Sequence, residues 1–563
     1  MPAAERKASF WEQVAGLPAN FWFANLMEMF ERLAFFGSRA IAPLYLVAES
    51  NRNGLGLSYT DKGWIYFWWA LIQCIVPMVS GGYTERYGYR RSLAAAFVIN
   101  AIGYSGMALS KPITDHLVAG GWGGGPEVGF WVFFAAACMV ALGTAIFKPP
   151  VHGTIARTTT EETSSLGWGV FYWAVNIGGA LAPMAAAELR GEINWNYVFY
   201  GAAIVTLCNF LPCFLLYREP EKAPRPVGEK QKGPFGVFFS SIFTIFKDLR
   251  LVVFLLIFSC FWLMFMQLWD LLPNFIEEWV DTSDVAGLFG WIRSSWVLEN
   301  GQTKPEIMIN IDAWAIIALV LVISWIVRKI HKVAAMIVGM VISLVGFVGA
   351  GMTQIGVVCA IMIFVFSIGE MACSPTFSAY VGLIAPKDKK ALYMGYSNIP
   401  FAIGWALGSS VGGYLYEDLS NIDTLARRYL VDQAMMTREF ADNRQQLPKG
   451  EALGMLARLV DGASAKDVAA TVQTRWTAIQ VEGLPADQVV TRMRDLYSTE
   501  LQPAPAKAMS DARLLLWNAY HPYRVWLYLG ALGLAGTIGM ILFYVATRHV
   551  RVVNGEETAP AQT

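Results

Sequence analysis

Glu28, Glu31, Arg32 and Arg39 stand inside an apolar stretch, residues 25–45, that is long enough to cross a lipid bilayer. Glu28, Glu31 and Arg32 are spaced i, i+3 and i+4, so a helix brings all three side chains to one face. Each such charge costs about 2.5–3.5 kcal/mol or more at the centre of a lipid-facing helix. The face is therefore expected to look into a protein interior or a watery cavity. Carboxylates beside a guanidinium can exchange a proton for an ion pair, which is the chemistry of a proton or substrate pathway. The plainer alternative is an ion pair that only fixes helix packing.

The elements that must position these groups follow from composition. Of 563 residues, 55% are hydrophobic and only 15% charged, against about 25% charged in an ordinary soluble domain. The mean hydropathy is +0.42. Repeated apolar runs of about 20 residues define an all-α polytopic membrane protein. We read twelve spans, at 18–47, 61–82, 92–110, 128–152, 165–188, 196–217, 250–275, 307–328, 333–353, 357–383, 392–416 and 523–547. Basic residues cluster after the even spans, among them Arg86, Arg90 and Arg91, then Arg157, then Arg328, Lys329 and Lys332, then Lys387, Lys389 and Lys390, then Arg548 and Arg551. The positive-inside rule places both termini and the middle linker in the cytoplasm. The first span is expected to serve as the targeting signal, since no signal-peptide pattern precedes it.

The chain divides into an N-terminal six-helix half, 1–217, and a C-terminal half made of 250–416 and 523–547. Between them runs a Pro- and Lys-rich linker, 218–249, whose residues 235–247 read as a helix lying on the membrane surface. Two halves of six spans match the layout of a transporter built from repeats. Residues 417–522 are rich in Ala, Leu, Arg and Asp and read as soluble helices, an extracytoplasmic insertion between spans 11 and 12. It is either a structural cap or a docking place for an unknown partner. Residues 548–563 form a cytoplasmic tail. Prolines 149, 150, 183, 375 and 400 mark places where helices are expected to bend or break.

Residues 81–92, GGYTERYGYRRS, have glycines and charges at the spacing of the loop 2–3 signature of the major facilitator superfamily, which they resemble. Three further stretches, with the span-1 pattern, are similar to one branch of it, the proton-dependent oligopeptide transporters. Span 1 carries Glu28, Glu31, Arg32, Phe35, Phe36 and Gly37 in the branch's order. Span 4 ends in GTAIFKPP with Lys148, span 5 contains FYWAVNIGG with Asn176, and span 10 contains GEMACSP with Glu370. The resemblance covers 18–417 and 523–547 and implies the major facilitator fold, twelve helices in two six-helix halves.

The resemblance also implies roles. Glu28, Glu31 and Arg32 would form a proton-sensitive salt-bridge cluster with Lys148. Arg39 would meet a peptide's carboxylate, Asn176 and Glu370 would hold its amino end, and Asn310 would face the same pocket. For Lys148 the alternative is snorkelling to the interface. The chain departs from the branch at Phe35 and Phe36, where tyrosines are usual, and at Met266, where an acid usually precedes Gln267. The nearest acid is Asp270, which could replace it. Burying a zwitterion requires a partner for each end, and Arg39 and Glu370 supply one from each half.

The function expected is proton-coupled uptake of di- and tripeptides by alternating access, in the plasma (inner) membrane. The substrate is a peptide or small molecule, the proton is the coupling ion, and the lipid bilayer is the surroundings. No other cofactor, no metal and no nucleic acid is expected. The rivals are transport of another charged solute, such as an amino-acid derivative or drug-like anion, and a non-transporting receptor or scaffold. An enzyme is not expected: the five histidines are scattered, and there is no nucleophile elbow, metal spacing or phosphate loop.

Overall fold

The computed structural model describes residues 10–49, 52–159, 163–191, 195–219, 248–327, 330–386, 390–501, 503–548, 551–553 and 556–558. Each expected span is met by a helix. Spans 1 to 6 are Ala19–Val47, Tyr59–Tyr87, Tyr89–Ala108, Gly125–Thr158, Ser164–Arg190 and Trp195–Leu216. Span 7 runs from Leu249 to Trp279 with breaks at Met266 and Leu271. Span 8 is Pro305–Ile309 followed by Ile311–Val327, and spans 9 to 12 are Lys332–Gly351, Gly356–Ile384, Asn398–Leu419 and Arg524–Thr547. Among the described residues, seven helices are long and apolar enough alone to cross a membrane, or eight counting Tyr89–Ala108 with Ser110–Ala119 as a bent pair. Span 1 is not among them because its charges, Glu28, Glu31, Arg32 and Arg39, lower its hydropathy. The expected surface helix at 235–247 lies outside the described residues, as do the side chains of Glu85 and Arg86.

Local sequence sets the helix ends. Ser58 caps span 2: its hydroxyl accepts the Asp61 amide at 3.0 Å while the Asp61 carboxylate accepts the Ser58 amide, a capping box. Asp248 caps span 7 by accepting the Leu251 amide at 3.0 Å. The expected proline breaks need correction. Helix runs continuously through Pro149, Pro150, Pro183 and Pro375, and Pro400 sits in a first turn, where its missing N–H is harmless. The interruptions fall instead at Asn310 and beside Asp270, polar positions in spans 8 and 7. Span 3 is also longer than read, since Ser110–Ala119 continues it at a 57° bend.

The halves meet where span 2 packs along span 11. Glycines permit that approach: a Cβ on Gly413 would lie 2.3 Å from the Tyr59 carbonyl, and one on Gly63 would lie 2.5 Å from that of Ser409. The insertion folds as helices, as its composition suggests, mainly Ile422–Asp432, Glu451–Val460, Ala465–Glu482, Ala486–Asp495 and Ala506–Tyr520. Its own apolar centre includes Leu430, Leu456, Val472, Met493 and Leu516. It does not stand apart from the spans. The Lys449 ammonium donates to the carbonyls of Val47 (3.0 Å) and Leu57 (2.8 Å), and Arg494 pairs with Glu49 at 3.4 Å. The insertion is thus rooted in the second half and fastened to the loop between spans 1 and 2.

Burial at this contact pushes the Glu49 carboxyl up to about 7, with Arg494 pulling down and Glu451 and Asp423 pushing up. Released from the contact, the carboxyl returns to the usual value near 4.5. Docking therefore takes up a proton between these values. It is strongest below about pH 4.5 and weakens as pH rises through about 7. Amide hydrogen exchange of residues 52–57, corrected for intrinsic rates, is expected to be faster at pH 8 than at pH 5. Equal protection at both would remove Glu49 from the docking equilibrium.

Candidate functional site

A cavity of about 220 Å³ lies between the halves. Its cationic wall comes from the first half, with Arg32, Arg39 and Lys148 alongside Gln73 and Asn176. Its acidic wall comes from the second, with Asp312 and Glu370. Between them stand Phe35, Phe36, Trp262, Phe265, Trp269, Phe401 and Trp405. Met266, Val175 and Ile316 also line it.

The span-1 face is assembled as its spacing requires. Arg32 Nε donates to Glu31 Oε2 at 2.6 Å and lies 3.2 Å from Glu28 Oε1. Thr144 on span 4 donates to Glu31 Oε1 at 2.9 Å. The guanidinium also stands 4.9 Å above the Phe35 ring and 5.9 Å from that of Phe36. Lys148 faces the cavity rather than snorkelling away, within electrostatic reach of Glu28, Glu31 and Arg32. Among the described residues it forms no ion pair, so the expected cluster is closed by Arg32 alone.

Arg39 is 2% exposed and pairs with Asp270 across 231 residues of sequence. The rings of Tyr66 (4.1 Å), Trp405 (5.1 Å) and Trp69 (5.4 Å) surround its guanidinium, and its Nη1 has no partner. Asp270 also accepts from Ser409 at 2.6 Å. Lys62 donates to the Asp270 carbonyl and to Asn274 Oδ1, both at 2.7 Å. Asn274 in turn donates to the Pro43 carbonyl at 2.9 Å. Asp270 therefore does not replace the missing acid beside Lys148; it belongs to a lock between the halves.

More bonds between the halves gather toward the insertion. Glu278 accepts from Tyr59 (2.6 Å) on span 2 and from Tyr416 (2.9 Å) on span 11. Arg190 meets Glu306 at 2.9 Å with both side chains buried, and Glu188 accepts from Arg293 (2.9 Å) and Ser295 (2.6 Å). A second cavity, about 250 Å³, lies here beneath the insertion, with Glu49, Arg52, Glu278, Asp423 and Lys449 in its wall.

Two expected site residues lie elsewhere. Asn310 turns from the cavity and donates to the Ala180 carbonyl at 2.9 Å, joining span 8 to span 5. Gln267 is buried against Gly408 and Gly412 of span 11 and donates to the Leu263 carbonyl. Asn176 does reach the cavity, its amide donating to the Tyr172 carbonyl at 2.8 Å. The reading of the sequence passed over Asp312 and Lys62. Both were visible as charges in or beside apolar runs, the same signal that picked out Glu370.

The chain is a multi-pass membrane protein of two helical halves that line an amphoteric cavity and are bonded together at one end. The sequence profile of the Major Facilitator Superfamily matches residues 26–298 and 299–424, and the chain belongs to that family. It is 24% identical over 202 residues to dipeptide and tripeptide permease A of Serratia proteamaculans (strain 568), covering 35% of this chain and 36% of the permease. The chain thus aligns with less than half the length of the peptide permeases it matches. It is 21% identical over 359 residues to multidrug resistance protein MdtH of Baumannia cicadellinicola subsp. Homalodisca coagulata, covering 62% of this chain and 75% of that protein. In three dimensions it is similar to a crystal structure of a POT family transporter in complex with 5-aminolevulinic acid. That similarity has a TM-score of 0.57 and 18% identity, over 74% of this chain and 93% of that one.

Proposed function

We propose that the protein is a proton-coupled symporter of small peptides, of the oligopeptide-transporter branch of its superfamily, working by alternating access. The observation that carries this reading is the division of charge across the cavity. Arg32, Arg39 and Lys148 line the first-half side of the cavity and Asp312 and Glu370 the second-half side, so each end of a zwitterion finds an opposite charge. A volume below the ~300–1,000 Å³ usual for drug-sized ligands supports a small substrate. The Glu28–Glu31–Arg32 group supplies carboxylates able to trade a proton for an ion pair. On this reading the insertion lies on the extracytoplasmic side of the plasma membrane and both termini lie in the cytoplasm, so the locked end is the outer one.

Uptake of a labelled peptide library into vesicles with an imposed pH gradient tests the reading directly. End-blocked peptides test the site. Arg39→Ala is expected to weaken calorimetric binding most for ligands with a free carboxylate, and Glu370→Gln most for ligands with a free amine. Each loss is about 2–5 kcal/mol, the cost of truncating one partner of a buried charge pair. An amidated peptide should be nearly indifferent to the first change and an acetylated one to the second. Equal losses for free and blocked ligands would make the charges structural and the peptide reading wrong. The second reading, transport of another charged solute, is favoured by Phe35 and Phe36, which line the cavity without the hydroxyls that tyrosines would offer a peptide. A vesicle accumulating a non-peptide amino acid derivative in preference to any peptide would select it.

A further inference from the structure

The second cavity, beneath the insertion, is built from three parts of the chain. The loop between spans 1 and 2 gives Glu49 and Arg52, and span 7 gives Glu277 and Glu278. The insertion gives Asp423, Lys449 and Arg513. A chain of bonds separates it from the central cavity. Arg39 meets Asp270, and Lys62 donates to the Asp270 carbonyl and to Asn274, which lines the outer cavity. Most charges of the outer wall are already matched. Arg52 pairs with Glu277, Glu49 with Arg494, and Asp423 with Arg427 and Arg444, while two carbonyls hold Lys449. Two charges are not matched. The guanidinium of Arg513, on Ala506–Tyr520 of the insertion, forms no ion pair or hydrogen bond among the described residues. Glu278 accepts from the hydroxyls of Tyr59 and Tyr416 and pairs with no cation among the described residues. An unmatched cation and an unmatched acid thus share a cavity of about 250 Å³, comparable with the central one of about 220 Å³.

We infer that the outer cavity is a second binding site for the small zwitterion, with Arg513 receiving its carboxylate and Glu278 its ammonium. The ligand gains both pairs without breaking an ion pair of the wall. Position gives the site its role. Glu278 ties spans 2, 7 and 11 together, so an ammonium at its carboxylate competes with the hydroxyls of Tyr59 and Tyr416. A ligand held there waits on the outer side of the lock and loosens it from that side. Arg513 belongs to residues 417–522, which lie outside the resemblance to the oligopeptide transporters, so the site is a property of this chain's insertion. The inference goes beyond the proposed function and rests on its zwitterionic substrate and on the insertion's extracytoplasmic side.

The test is equilibrium dialysis of labelled dialanine against the purified full chain, read as molecules bound per chain at saturation. Wild type should hold about two and Arg513→Gln about one, because truncating one partner of a desolvated charge pair weakens binding by about 30-fold or more. Arg513→Lys, which keeps the cation, should restore the second molecule and so separates lost charge from a misfolded insertion. The molecule left in Arg513→Gln should be the one that Glu370→Gln weakens, since Glu370 lines the central cavity. A wild-type chain that holds a single molecule, or an Arg513→Gln chain that keeps both, would overturn the inference and leave the transport reading standing. A wild-type chain that binds none would overturn both.

Discussion

Glu31→Gln is expected to abolish accumulation of substrate in response to a pH gradient while leaving exchange of substrate across the membrane close to wild type. The carboxylate is buried, tied to Arg32 on its own helix and to Thr144 on span 4. Glutamine keeps the shape and can still accept from Thr144, so helix packing survives. What it removes is a group whose charge can vanish on protonation, freeing Arg32 to shift between Glu28 and the cavity. A coupling free energy of about 1–3 kcal/mol is worth roughly 5–150-fold, and the accumulation ratio should fall within that range toward unity. The pair of assays separates coupling from folding, because exchange needs the alternating movement without the gradient. A mutant that still concentrates substrate would show that this carboxylate is not the coupling group.

Asp270→Asn is expected to open the end that the structure shows locked. Removing one partner of a buried pair costs about 3–5 kcal/mol, because the remaining charge is left without compensation. Here that charge is Arg39, held among Tyr66, Trp69 and Trp405 and without another carboxylate among the described residues. The cost falls on the locked arrangement, since an opened cleft lets water reach the guanidinium. At about 1.4 kcal/mol per factor of ten, the balance between locked and open moves by about a hundredfold or more. Spin labels at the exposed positions Asn53 and Asn300, on loops of opposite halves, should report a longer distance in the mutant. An unchanged distance distribution would mean that the lock is carried by Glu278, Arg190 and Glu306 instead.

Much of this site could be read from spacing, and the reason is local. Glu28, Glu31 and Arg32 sit within one turn, so their common face follows from helix geometry alone. Lys148 and Glu370 announce themselves as charges in apolar runs, and both line the cavity. The lock was out of reach because Arg39 and Asp270 are 231 residues apart and meet only when the halves pack. Asn310 and Asp312 show how fine the limit is. Asn310 sits at the break between Pro305–Ile309 and Ile311–Val327 and points to span 5, while Asp312, in the first turn of the second helix, turns into the cavity. Gln267 failed for a related reason: span 7 breaks on either side of Gln267–Asp270, and an unbroken helix would have been the wrong ruler there. The fold-level reading of two six-helix halves needed only run lengths and basic loops, which is why it survived these local errors.

The fastening of the insertion has a consequence for timing. Both its ends join the second half, through span 11 and span 12, yet Lys449 and Arg494 hold the first half's loop at Val47, Glu49 and Leu57. These bonds tie the two halves together at the locked end, so on the proposed alternating-access reading an opening on that side would have to break them. They weight the balance toward the locked arrangement without contributing a group to the wall of the central cavity. A protein of this design has a governor on its turnover rate that is encoded outside its twelve helices. Sequence change in residues 417–522 is therefore expected to reset how readily that end opens while leaving the residues of the central cavity as they are.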